Sequence, residues 1–97
     1  MQDPTTITTM ADLRAEIDAC DRALMGLLVR RAALIDQAIV IKPGVAMPAR
    51  VTPRVEQVAQ NARENAEKAG FDPDFAEKLW RQIIEWSIAR EEKVLGT

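Results

Sequence analysis

Four residues stand where a helical hydrophobic pattern asks for apolar side chains: Arg31, Lys42, Ser87 and Glu91. An ionic or polar group in such a place is costly unless it meets a partner or a ligand. Arg31 falls eighteen residues, five helical turns, after Leu13 on one apolar stripe, and Lys42 follows eleven residues later, about 20° away around the axis. Ser87 and Glu91 lie one turn apart inside the stripe Trp80, Ile84, Ile88 and Leu95. Arg14 sits beside Ile17, and Arg54 opens a second helix just after a loop. Three arginines and a lysine facing one acid and one hydroxyl suit a small anionic ligand.

Each of these residues also has an ordinary reading. Arg14 can pair with Asp18 at i+4, and a modest rotation can expose Arg31 in place of Arg30. Lys42 at a helix end is a favourable dipole contact. Ser87 can be a satisfied core hydroxyl, and Glu91, among Arg90, Glu92 and Lys93, can be surface if its helix frays. Cys20, Trp80 and Trp86 read as packing residues.

The elements that must carry these groups follow from period and punctuation. Leu13, Ile17, Cys20, Leu24, Leu27, Leu28, Leu34, Ile35, Ala38 and Ile41 recur at three- and four-residue steps, which predicts one helix over residues 10–41. Thr9 is its expected N-cap, with Asp12 in the first turn, and Pro43-Gly44 its stop. Residues 43–52 read as a loop. Thr52 as N-cap and Pro53 then open a second helix with a narrow stripe of Val55, Val58, Ala59, Ala62, Ala66 and Ala69, ended by Gly70. Asp72 and Pro73 repeat that signature for a third helix to about Leu95. Its two stripes, Phe75, Leu79, Ile83, Trp86 and Trp80, Ile84, Ile88, Leu95, predict burial on more than one side. The expected fold is all-α: three helices in a domain over residues 9–97, preceded by a loose arm over residues 1–8.

The first helix is long for such a chain. Thirty-two residues extend roughly 48 Å, whereas a compact globule of this length is about 32 Å across. A second copy covering the overhang resolves the mismatch. Arg14 and Arg31, seventeen residues or roughly 25 Å apart along the helix, cannot grip one small molecule from the same chain. An antiparallel pair of long helices brings Arg14 of one protomer to the site of the other.

Composition narrows the classes of function. The chain has 97 residues, 47% hydrophobic and 29% charged, which fits one globular domain. A net charge of -2 provides no field for nucleic acid. No run approaches a membrane span, and the N-terminus lacks a secretory pattern, so a cytoplasmic location is expected. Cys20 is the only cysteine and there is no histidine, which argues against disulfides, the usual metal sites and hydrolytic triads.

Several segments together carry a resemblance: LRAEID at 13–18, the Arg30-Arg31 pair followed by Lys42, the Arg54 that opens the second helix, and IIEWSIAREE at 83–92. In these the chain resembles the all-helical, AroQ-class chorismate mutases and their relatives, the isochorismate-pyruvate lyases, over nearly everything from Ala11 to Leu95. The resemblance implies an intertwined homodimer with two shared sites. Arg14 from the partner chain and Arg31 would bind the two substrate carboxylates, with Ser87 assisting. Lys42 and Glu91 would address the ether oxygen of the enolpyruvyl group, and Arg54 would complete a cationic wall. No cofactor is implied, because chorismate rearranges to prephenate in one pericyclic step; isochorismate cleavage to salicylate and pyruvate is the alternative, and a non-catalytic helical dimer a further one.

Three positions depart from the mutase pattern. Val51 and Val55 stand where many mutases carry acids that meet a ring hydroxyl, and in this, with Trp86 and the Ile88-Ala89 pair after Ser87, the chain looks lyase-like. Glu91 stands where Gln is common. A carboxylate cannot donate to an ether oxygen whereas a carboxylic acid can, so Glu91 is expected to work protonated.

Overall fold

The structure is a computed structural model and describes residues 3–97; Met1 and Gln2 of the expected arm lie outside the described residues. It contains three α-helices, α1 (Met10–Ile41), α2 (Thr52–Ala69) and α3 (Pro73–Leu95), with short 3-10 turns at Pro4–Thr6 and Lys42–Val45. Among the described residues there is no strand. The chain divides into two compact units, one ending at Ala33 and the other running Leu34–Thr97.

In the first unit, Asp3 closes the turn Pro4–Thr6 by accepting from the Thr5 backbone N–H at 3.0 Å and its hydroxyl at 2.8 Å. Thr9 caps α1 as expected: its Oγ1 accepts from the Asp12 N–H at 3.1 Å. α1 has no buried residue in the single chain. Ile17, Leu24 and Leu27 are 50%, 55% and 71% exposed, and Cys20, expected to pack, is exposed as well. These side chains leave an exposed apolar stripe along α1.

The second unit is organised by punctuation residues. Pro43 lacks the N–H that would continue α1, and the chain tightens into a 3-10 turn where the sequence suggested plain loop. Ala46 then takes a left-handed φ of 53°, and the Met47 N–H closes back on the Lys42 carbonyl at 3.0 Å. Thr52 is the first residue of α2 and not its cap. Extended Val51 occupies the cap position with no side-chain hydrogen bond, its carbonyl accepting from Arg54 and Val55 N–H groups at 2.9 and 3.0 Å. Gly70, at a left-handed φ of 74°, ends α2. Asp72 caps α3, its Oδ1 accepting from the Phe75 N–H at 3.1 Å.

α2 and α3 pack through small side chains. Ala59, Ala62 and Ala66 of α2 and Ala76 of α3 are buried. Further along, Ala49, Ile84 and Ile88 form a core flanked by Val55, Val58 and Leu95; burying each isoleucine is worth about 1.5–3 kcal/mol. A polar brace ties the same helices. Arg63 reaches Asp74 at 2.9 Å and Glu77 at 3.1 Å, while Arg81 reaches Glu77 at 2.8 Å and Glu56 at 2.9 Å. Hydrogen bonds from Arg81 and Arg63 hold the Glu77 carboxyl below its ordinary 4.5.

Only one of the two α3 stripes is sealed within the chain. Ile84 and Ile88 are buried, but Phe75 and Trp86 of the other stripe are 51% and 54% exposed. The expected two-sided burial is therefore incomplete in a single copy. No described helix is long and apolar enough to cross a membrane.

Candidate active site around Lys42 and Glu91

The buried polar residues of the second unit are Ser87 and Glu91, each 4% exposed. Both face inward because α3 turns once between them, placing them on the side that carries Ile84 and Ile88. Ser87 Oγ donates to the Ile83 carbonyl one turn back at 2.9 Å. Lys42, at the start of the 3-10 turn, sends its ammonium to Glu91: Nζ lies 2.7 Å from Oε1, with both side chains largely shielded from water.

That contact is an ion pair without an aligned hydrogen bond. Glu91 Oε1 is buried and accepts none, although Lys42 Nζ is at ion-pair distance. The ammonium instead donates to the Ala49 carbonyl at 2.9 Å. An ammonium has three donors, so one is committed to Ala49 and the remaining two can be directed at Glu91 or at an incoming oxygen. A cation and a carboxyl group side by side in a partly dehydrated setting interact more strongly with a ligand than they would in water.

Two charged forks lie in the same unit. Arg50 grips Glu85 through both nitrogens at 2.9 and 2.6 Å. Arg90 grips Asp36 at 2.6 and 3.0 Å, and its guanidinium stands 5.4 Å from the Trp86 ring centre. The hydrogen bond from Arg90 holds the Asp36 carboxyl below the usual carboxylate range, as that from Arg50 does for Glu85. These four residues were missed in the sequence because each pair joins positions far apart in the chain. A cavity of about 310 Å³ lined by Pro43, Ala46, Met47, Pro48, Leu95 and Thr97 lies nearby, and its walls carry none of the six residues predicted to act.

Those six are distributed as follows. Lys42 and Glu91 are in contact, and Ser87 is buried one turn from Glu91. Arg54 is exposed in the first turn of α2, its Nη1 donating to Gln57 Oε1 at 2.9 Å. Arg31, half-buried, and Arg14, exposed, belong to the first unit. Val51 and Val55 are half-buried, and Val55 packs against the core cluster. Among the described residues no group of three or more His, Cys, Asp or Glu side chains is placed to hold a metal ion.

The described chain is thus an all-α protein with a shielded lysine–glutamate pair and a buried hydroxyl one turn away. Comparison with known proteins makes the class specific. The family model for chorismate mutase type II matches residues 13–92. The T-protein of Haemophilus influenzae is 34% identical over 84 residues and that of Enterobacter agglomerans 29% over 85, matches that cover 87% and 88% of this chain. They cover only 22% and 23% of those proteins, so the chain spans less than a quarter of their length. The isochorismate pyruvate lyase of Pseudomonas aeruginosa is 35% identical over 96 residues, covering 96% of this chain and 91% of the lyase. The chain belongs to the chorismate mutase type II family.

Proposed function

We propose that the protein is a chorismate mutase, converting chorismate to prephenate in a cationic site shared between two subunits. The observation that carries this reading is the Lys42–Glu91 pair, 2.7 Å apart and shielded from water. In the rearrangement an ether C–O bond breaks as a C–C bond forms, and negative charge grows on the ether oxygen. A preorganised ammonium aimed at that oxygen lowers the barrier without any nucleophile. Glu91 addresses the same atom from beside the ammonium. Lys42 retains donors for this because Ala49 takes only one.

The family pattern assigns the two substrate carboxylates to Arg31 and to Arg14 of the partner subunit. Ser87 assists once its hydroxyl proton turns from the Ile83 carbonyl toward the ligand. Arg54, whose Nη1 donates to Gln57 on the surface, completes the cationic wall. The homodimer this requires is supported by α1, which buries none of its apolar stripe in a single chain.

A second reading, isochorismate cleavage to salicylate and pyruvate, is favoured by Val51 and Val55. Neither offers an acceptor to a ring hydroxyl, and Val55 is engaged in the core. The lyase of Pseudomonas aeruginosa also matches along nearly its whole length. Incubation with each substrate and separation of prephenate from salicylate and pyruvate distinguishes the two, and turnover of neither would point to a non-catalytic dimer.

A further inference from the structure

The lysine at the centre of the site is aimed by a backbone carbonyl, and that carbonyl is itself held from several directions. The Ala49 side chain is 3% exposed, seated against Ile84 and Ile88 of α3. Its N–H donates to the Thr97 carbonyl at 2.8 Å. The Ala49 C=O and the Arg50 N–H share one rigid peptide plane, so whatever fixes Arg50 also fixes the direction of the acceptor. The Arg50 side chain is tethered to α3 by its two-pronged grip on Glu85, at 2.9 and 2.6 Å. Glu85 in turn lies on α3 two residues before Ser87 and six before Glu91. One helix therefore carries the carboxyl group that faces Lys42 and the carboxylate that steers its other acceptor.

We propose that Arg50 and Glu85 are a positioning pair for Lys42: their fork sets the Ala49 carbonyl, and the carbonyl holds the ammonium beside Glu91. The consequence for catalysis rests on the proposed function, in which Lys42 serves the reacting oxygen; the consequence for Lys42 itself does not. Both side chains are about half exposed, so the fork contributes little to overall stability. Its value is geometric. A planar guanidinium bound at two points resists rotation in a way that a single contact does not. Pro48, whose ring fixes its own φ, limits the slack on the other side of Ala49.

The test is pulse acetylation of the folded full chain with acetic anhydride, following Lys42 and the exposed Lys68, Lys78 and Lys93 by mass spectrometry. Arg50→Ala and Glu85→Ala should each raise the Lys42 rate about threefold or more through local loosening, leaving the other lysines unchanged. The charge-swapped double variant, Arg50→Glu with Glu85→Arg, should return it toward wild type. Arg81→Ala, which breaks the α2–α3 contact with Glu56, should not move it. An unchanged Lys42 rate in Arg50→Ala, or acceleration at all four lysines, would overturn the proposal. In parallel, on whichever substrate turns over, kcat should fall about tenfold with KM nearly constant. Turnover of neither substrate would remove the functional reading while leaving the acetylation result to decide the positioning role.

Discussion

Lys42 Nζ stands 2.7 Å from Glu91 Oε1, yet its hydrogen bond goes to the Ala49 carbonyl 2.9 Å away. The pair is thus in electrostatic contact but not locked together. A buried pair of this kind costs desolvation and gains it back only with both members present.

Removing one member exposes that asymmetry. Lys42→Met leaves Glu91 shielded and uncompensated, and should lower stability by about 3–5 kcal/mol in urea unfolding. The double variant Lys42→Met/Glu91→Leu should recover most of that loss. Turnover should fall by about 10²–10³ in Lys42→Met and stay low in the double variant, which separates what the pair does for folding from what it does for chemistry.

Acid should loosen the α2–α3 hairpin. Glu77 is held below its ordinary 4.5 by hydrogen bonds from Arg81 and then Arg63. A carboxyl depressed in the folded state contributes stability that is present above its unfolded value and is lost as pH falls through the folded one. Melting temperature followed downward from pH 5 should therefore drop, and Glu77→Gln should show a shallower drop over the same range.

Much of the fold is visible in residue spacing, because period and capping are local. α1 occupies 10–41 as its apolar steps predict, and Thr9, Gly70, Asp72 and Gly96 punctuate the helices through bonds to near neighbours. The burial of Ser87 and Glu91 is legible for the same reason: a polar residue inside an apolar stripe is carried inward with it. Contacts that depend on tertiary placement are not legible. Arg50–Glu85 and Asp36–Arg90 join residues 35 and 54 apart in sequence. Ala49 acts through its backbone, which leaves no mark in the residue type. Thr52 reads as a cap until the extended conformation of Val51 is known. The exposed stripe of Phe75 and Trp86 looks like core because periodicity reports an apolar face without saying whether its own chain covers it.

A site shared between two subunits, as proposed, makes a stoichiometric prediction. Arg14→Ala and Arg31→Ala homodimers should each lose turnover, while mixing and reassociating the two should restore up to a quarter of wild-type activity, because half the dimers are mixed and each holds one intact site. Mixed dimers verified by mass spectrometry that remain inactive would rule out a site built from two subunits.

The most direct measurement is the fate of chorismate itself, followed by ultraviolet absorbance and by separation of the products. Chorismate is expected to be consumed and prephenate to accumulate in equal amount, without added cofactor, and Lys42→Met to slow this by about 10²–10³. Chorismate left intact while isochorismate yields salicylate and pyruvate would contradict the mutase assignment, and neither substrate reacting would contradict catalysis at the Lys42–Glu91 pair altogether.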